Sequence, residues 1–333
     1  MTAFDHATVL AVETVDQLDV RNDCVYVDGT LGGAGHAAQI LERAPRATLI
    51  GIDRDPTALD AARERLAPFG DRVRLVHGQY ADLPSILPTL GRSTVDGILL
   101  DLGVSSPQLD HADRGFSFMK EGPLDMRMDP TRGPTALELL RELSVDELGD
   151  VIKDLGEERY GHKIARLIKD AVRDDQLRTT TDLAALISKA IPFAEQRKSK
   201  IHPATRTFQG LRIAVNRELD ELDRILDAFP DLLNPGGRCA IISFHSLEDR
   251  RVKNRFRDLA WTSSLPPKLA IQEGERVDAV CELLSRKALV ATDDEIARNP
   301  RSRSARLRAC VRTSAPNVAA TRHPRGAGRY RVE

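Results

Sequence analysis

The sequence predicts an α/β fold: a mostly parallel sheet covered on both faces, with an all-helical subdomain inserted between two of its strands. Three observations predict it. Four short apolar runs alternate with helix-compatible segments in the first hundred residues, and a fifth follows only after a long stretch of helical pattern. Hydrophobic residues make up 41% of the chain but aromatics only 4%, so the core is built mainly of Ala, Leu, Val and Ile.

Segment 24–28 (CVYVD) is apolar and ends at a glycine-rich turn, as a buried strand feeding a helix does. Helical spacing covers 36–43, and 47–53 (ATLIGID) reads as a second strand. A helix with Ala58, Ala61, Ala62 and Leu66 precedes a third strand at 73–77, and 95–101 (VDGILLD) is a fourth. Near-continuous apolar strands separated by helices imply parallel pairing with both faces buried. A fifth strand, 238–245 (RCAIISFH), follows the turn Asn234-Pro235-Gly236-Gly237. The spacing of Leu211, Val215, Leu219, Leu222 and Leu226 predicts a single helix before it.

Between the fourth and fifth strands the strand–helix rhythm stops. From 134 to 193 the pattern is helical: Ser144-Val145-Asp146-Glu147 is a capping box, Ile164, Leu167, Ile168 and Val172 fall at helical spacing, and Thr181-Asp182 can open a further helix. The stretch before it, 108–133, is rich in Gly, Pro, Asp, Met and Arg and reads as an ordered loop crossing the active face. After the fifth strand, 247–261 is helical and basic, and 279–292 and 304–313 supply two more strands, antiparallel to each other. The expected domains are a sheet domain of 1–107 and 202–313, an inserted loop and helical subdomain of 108–201, and a basic, disordered tail of 314–333.

No run approaches the length of a membrane span and no charged-then-apolar segment opens the chain, so a cytoplasmic protein without membrane contact is expected. Cys24, Cys239, Cys281 and Cys310 form no CxxC and no zinc spacing; neither a disulfide framework nor a metal is expected. The formal charge of -1 hides an asymmetry, because nine arginines and one acid lie from Arg301 onward and leave an acidic body. A polyanionic partner and a solubilising end both account for it.

The segment Asp28-Gly29-Thr30-Leu31-Gly32-Gly33-Ala34-Gly35-His36 leaves a strand and enters a helix. Glycines let backbone approach a ligand, and the helix N-terminus offers free N–H groups. In an open α/β sheet the ligand sits beyond the carboxyl ends of the strands, where Asp53 is placed for ribose hydroxyls. Together these features specify an adenosine-containing cofactor. The dinucleotide pattern GxGxxG is not met, since Thr30 stands where a glycine is required, and no GxxxxGK[ST] is present. The loop is similar to that of S-adenosylmethionine methyltransferases.

Five longer motifs carry a closer resemblance. They are Asp101-Leu102-Gly103-Val104-Ser105-Ser106-Pro107-Gln108, Arg114-Gly115-Phe116-Ser117-Phe118, the run from Pro123 to Pro130, the run from His202 to Gln209, and the run from Ser243 to Arg250. From about 6 to 313 the chain closely resembles the ribosomal RNA small subunit methyltransferase H family, the bacterial 16S rRNA (cytosine-N4)-methyltransferases. The resemblance implies a Rossmann-like S-adenosylmethionine methyltransferase sheet, S-adenosyl-L-methionine as methyl donor, and a cytidine of the decoding region of 16S rRNA, in the small ribosomal subunit, as acceptor. It carries cofactor contacts onto Ala34, Gly35, His36, Asp53, Tyr80, Asp101 and Gln108. Tyr80 stands where the family has Phe and keeps an aromatic face for stacking.

The exocyclic amine of cytosine is a poor nucleophile, while a sulfonium methyl is strongly electrophilic, so alignment and acceptance of N–H hydrogen bonds are the tasks left to the protein. Many amino-methyltransferases end the fourth strand with (Asp/Asn)-Pro-Pro-aromatic; here it ends Asp101-Leu102-Gly103-Val104. The candidate catalytic residues are Asp101 and, at the end of the fifth strand, His245, for which a structural hydrogen bond is the slightly favoured reading. His36 is expected to orient the glycine loop. Asp125, Arg127 and Asp129 form either an ion-pair lid or a brace of their own loop, and Arg206, Arg212 and Arg217 with Asn216 either meet RNA phosphate or make a solvated helix face. Two rival readings are an NAD(P)-dependent oxidoreductase and a non-catalytic RNA-binding ribosome-assembly factor. A homodimer is the expected assembly, with no residue marking its interface.

Overall fold

The structure is a computed structural model that describes residues 8–261 and 278–317. The chain divides into two compact units, Met1–Gly103 with Asp220–Glu333, and Val104–Leu219. The first unit carries seven strands: β1 (Val25–Asp28), β2 (Thr48–Asp53), β3 (Val73–His77), β4 (Val95–Asp101), β5 (Leu233–Ser243), β6 (Cys281–Leu283) and β7 (Arg306–Arg312). They form one sheet in the order β3-β2-β1-β4-β5-β7-β6. Strands β1 to β5 run parallel, β7 is antiparallel to β5, and β6 is antiparallel to β7. Strand order reverses between β1 and β4, the place in such a sheet where a crevice opens beyond the strand ends.

Alternate side chains of a strand point to opposite faces, and here both faces are apolar. Val25, Val27, Ile50, Ile52, Ile98, Leu100 and Ile241 enter one core, beneath helices Leu83–Thr89, Glu218–Leu232 and Ser246–Leu259. Tyr26, Leu49, Leu99, Ala240 and Ile242 enter the other, beneath Ala11–Leu18, Gly35–Arg43 and Pro56–Leu66. Each fully buried aliphatic side chain contributes about 1.5–3 kcal/mol relative to exposure. Pro56–Leu66 starts where the sequence dictates, with Asp55 accepting from the Thr57 N–H and proline in the first turn.

The single helix read from Leu211 to Leu226 is two. Arg217 adopts φ 51° and ψ 38°, separating Thr205–Asn216 from Glu218–Leu232. The Asn216 side chain causes the stop: its amide donates to Met126 O at 2.8 Å and its carbonyl accepts the Met128 N–H at 2.7 Å. Arg212 spans the break with a bidentate pair to Glu218, Nε to Oε1 at 2.8 Å and an η nitrogen to Oε2 at 2.9 Å. The strand read over 279–292 is also shorter, reduced to Cys281–Leu283 and an isolated bridge from Leu289 to Leu307. Ser285 Oγ donates to Lys287 O at 2.6 Å and turns the chain between them.

In the second unit several helices begin at reciprocal caps, among them Thr135 with Glu138, Ser144 with Glu147, and Thr179 with Asp182. Helix Thr205–Asn216 belongs to this unit, although the sequence reading placed 202–313 with the sheet. Backbone-to-backbone packing holds it there, since a Cβ on Gly210 would lie 2.9 Å from Gly156 N. The loop preceding the helices is braced from within. An Arg114 η nitrogen donates to the carbonyls of Arg127 and Met128, both at 3.0 Å, and Asp125 pairs with Arg127 at 2.8 and 2.7 Å. Burial acts to raise the Asp125 carboxyl, but the Arg127 guanidinium outweighs it and holds the group below the usual carboxylate range.

Among the described residues no helix is long and apolar enough to cross a membrane, and no cluster of three His, Cys, Asp or Glu side chains could hold a metal. Most of the basic tail, 318–333, lies outside the described residues.

Candidate active site

Three adjacent strands end in carboxylates: Asp28 on β1, Asp53 on β2 and Asp101 on β4. Asp28 is 1% exposed and its Oδ1 accepts the Thr30 N–H at 3.2 Å. Burial pushes its carboxyl up to about 7; the Thr30 N–H opposes that rise and the charge of Asp53 adds to it. Asp53 accepts the Gly32 N–H on Oδ2 and the Asp55 N–H on Oδ1, both at 2.8 Å. Burial also raises Asp53, against those two N–H groups.

The glycine loop is stitched to the strands on both sides. The Leu31 N–H donates to Ile52 O at 3.1 Å, the Gly29 N–H donates to Leu99 O at 2.9 Å, and Thr30 Oγ accepts the Asp101 N–H. Gly29 is required by close approach, because a Cβ there would lie 2.5 Å from Leu100 Cδ2 and 2.9 Å from Tyr80 Cβ. Tyr80 follows β3, is buried, and thereby backs the loop. Ala34, at φ 56° and ψ 30°, holds a left-handed conformation that costs a non-glycine residue about 1–2 kcal/mol. It turns the chain directly into helix Gly35–Arg43, which Gly35 opens.

His36, in the first turn of that helix, donates from Nε2 to Val9 O at 3.0 Å. Nδ1 lies 3.8 Å from Asp101 Oδ2, too far for a hydrogen bond. The contact to Val9 makes His36 an orienting residue of the loop. Asp101 is 25% exposed as a side chain, yet its Oδ1 is buried and has no hydrogen-bond partner among the described residues. Burial first, then the charges of Asp28 and Glu248, hold its carboxyl well above the ordinary range. His245 follows β5 and caps helix Ser246–Leu259, with Nε2 3.1 Å from Glu248 Oε1.

Ala34, Gly35, His36, Asp53, Tyr80, Asp101 and His245 thus all belong to the first unit, around the carboxyl ends of its parallel strands. Gln108 belongs to the second. It is buried in a short helix, Ser106–Asp110, where its Oε1 accepts the Ser105 N–H at 3.0 Å. Asp28, Thr30 and Glu248 were not singled out from the sequence. Asp28 carries the signal that marks Asp53 and Asp101, an acid ending an apolar strand. Glu248 stands three residues after His245, the spacing of a capping box. Arg212, for which sequence leaves both an RNA-phosphate contact and a solvated helix face open, is instead turned inward on Glu218, and Asn216 clamps the loop backbone.

These groups suit S-adenosylmethionine. The loop presents backbone with open space at Gly33, Asp53 keeps lone pairs for ribose hydroxyls beyond its two N–H bonds, and the buried Asp101 Oδ1 awaits a partner. The chain matches the MraW methylase family over residues 3–313. It is 52% identical to ribosomal RNA small subunit methyltransferase H of Syntrophotalea carbinolica over 310 residues, 93% of this chain and 98% of that protein. Proteins of the same name from Anaeromyxobacter sp. (strain Fw109-5) and Geobacter sulfurreducens are each 50% identical, covering 92% of this chain and 97% and 98% of their own lengths. The chain therefore belongs to the MraW methylase family and is an S-adenosylmethionine-dependent methyltransferase.

Proposed function

We propose that the protein methylates N4 of a cytidine in the decoding region of 16S rRNA, acting in the cytoplasm on the small ribosomal subunit. The observation that carries the acceptor class is near-complete coverage of relatives named for methylation of small-subunit ribosomal RNA. The N4 position rests on the motifs at Asp101–Gln108 and Ser243–Arg250.

Ala34, Gly35 and His36 would hold the amino-acid end of the donor, Asp53 the ribose, Tyr80 the base, and Asp101 the end nearest the acceptor; the resemblance adds Gln108 to the cofactor contacts. Bound donor supplies an electrophilic methyl group on a sulfonium. The residues at the ends of β4 and β5 then have two tasks: to hold N4 on the sulfur–methyl axis and to accept its hydrogens as charge develops. The acceptor base is splayed from its neighbours to reach them.

Incubation of the purified enzyme with small subunits and labelled donor tests this reading. Label is expected in N4-methylcytidine of 16S rRNA. Label in another nucleoside, or none, would refute it.

A further inference from the structure

We propose that Phe118 and His202 form a stacking platform for an unpaired base of the substrate RNA, with the phosphates beside that base held by Lys120 and Lys200. The inference rests on the proposed function and names the surface of the second unit that takes the RNA, a task given so far to no residue.

Three rings lead from the interior of this unit to its surface. Phe208 is buried in helix Thr205–Asn216. Phe118 is half-buried and meets it edge-on, with ring centroids 4.9 Å apart and planes at 67°. His202 is exposed and lies over Phe118, with centroids 4.7 Å apart and planes inclined at 31°. Phe118 thus covers one face of the imidazole, and the exposed part of the ring includes the other. Met119, 81% exposed, follows Phe118, and Ile201, 47% exposed, precedes His202. Apolar side chains gathered at the surface within a polar surround mark an interaction site.

Local hydrogen bonds shape this surface before any ligand arrives. The Ala204 N–H donates to His202 Nδ1 at 3.1 Å, which sets the plane of the ring. Ser199 Oγ donates to Ile201 O at 3.0 Å and accepts the Ile201 N–H at 3.2 Å, which holds the turn leading to His202. On the other side, Thr180 Oγ donates to Lys120 O and accepts the Gly122 N–H, both at 3.1 Å, and so pins the segment that follows Phe118. A surface ordered in advance loses less entropy on binding.

Lys120 lies two residues after Phe118 and Lys200 two before His202. Two residues of chain span at most about 7 Å, so both lysines stand beside the stack. Both are exposed, and neither ammonium has a partner among the described residues. The acids closest to them in sequence are engaged elsewhere: Glu195 pairs with Arg159 at 2.6 Å and Lys198 at 3.1 Å, and Glu121 accepts from Thr181 Oγ at 3.4 Å. An open aromatic face between unpaired cations fits a single-stranded polyanion, because any base can stack on the ring while an ammonium meets the adjacent phosphate. A duplex offers no free base face, so the RNA that docks here is unpaired.

The test uses the full chain and small ribosomal subunits. His202→Ala should weaken subunit binding by roughly five- to a hundredfold, while His202→Tyr, which keeps a ring, should retain most of the affinity. Lys120→Ser combined with Lys200→Ser should flatten the dependence of log affinity on log salt by about 1.4, at about 0.7 for each phosphate contact on a single strand. This double variant disturbs no ring packing and serves should His202→Ala not fold. A photoreactive benzoylphenylalanine in place of Met119 should crosslink to 16S rRNA. Undiminished affinity in His202→Ala, or an unaltered salt slope in the lysine variant, would overturn the platform. Crosslinks to ribosomal protein alone would overturn it in favour of a protein partner. An equal fall in affinity for S-adenosylhomocysteine in His202→Ala would also overturn it, by tying the ring to the donor. A wild type that binds and crosslinks as expected but leaves N4 unmethylated would instead overturn the proposed function and leave the platform standing.

Discussion

Replacing Asp53 with alanine separates what this residue does for the loop from what it does for the ligand. Its two oxygens accept the Gly32 and Asp55 N–H groups at 2.8 Å, so the carboxylate shapes the glycine loop before any donor arrives. Hydrogen bonds to a charged group contribute about 1.5–3 kcal/mol each, and an N–H left buried without a partner costs about 1–3 kcal/mol. Asp53→Ala should therefore lower the stability of ligand-free protein by about 2–3 kcal/mol, with water entering the space to limit the loss. Loss of the ribose contacts should weaken cofactor binding by a further 1.5–3 kcal/mol or so, roughly ten- to a hundredfold in affinity. Urea unfolding reads the first quantity and calorimetric titration with S-adenosylhomocysteine reads the second. A variant that is less stable but binds with undiminished affinity would make Asp53 a brace of the loop alone. Undiminished affinity together with undiminished stability would refute the reasoning outright.

The raised carboxyl of Asp28 makes stability depend on pH in an unusual direction. Its folded-state value of about 7 lies above the ordinary 3.8, so its contribution is present in full below about pH 4 and is lost as pH rises through about 7; the shift is worth on the order of 4 kcal/mol. Asp28→Asn, which cannot ionise, should lose less stability than the wild type between about pH 5 and about pH 8 in urea titrations, and equal slopes would contradict this. Arg212→Ala leaves Glu218 buried without its guanidinium and should cost about 3 kcal/mol in unfolding; an unchanged midpoint with weaker RNA binding would restore Arg212 to the RNA surface. A chain ending at Asn317 lacks Arg322, Arg325, Arg329 and Arg331, and its RNA affinity should depend less steeply on salt, by a slope of up to about 3; an identical slope would leave the tail a solubility device.

The sheet was legible because local and global signals agree. Runs such as Val-Asp-Gly-Ile-Leu-Leu-Asp at 95–101 are apolar on both faces, and only a strand covered on both sides satisfies them. The capping box at Ser144 and the acids Asp53 and Asp101 that end β2 and β4 were likewise readable one residue at a time. The break at Arg217 was not. Leu211, Val215, Leu219, Leu222 and Leu226 keep helical spacing through it, and its cause is the Asn216 clamp on Met126 and Met128, some ninety residues away in sequence. The same tertiary reach separates the two readings of Arg212: sequence shows a cation on a helix, and only the fold brings Glu218 against it. His245 was visible as a titratable group at a strand end, whereas the burial of both its ring nitrogens and the approach of Glu248 Oε1 to within 3.1 Å of Nε2 exist only in three dimensions.

The central claim is that donor held at the ends of β1, β2 and β4 is spent on one ribosomal cytidine. Mass-spectrometric mapping of 16S rRNA from cells lacking this protein, then complemented with the wild type or with Asp53→Ala, tests it most directly. The account predicts that an N4-methyl group on a decoding-region cytidine disappears in the deletion, returns with the wild type, and returns at a reduced level with the variant. A decoding region methylated at N4 to the same extent with and without the protein would contradict it.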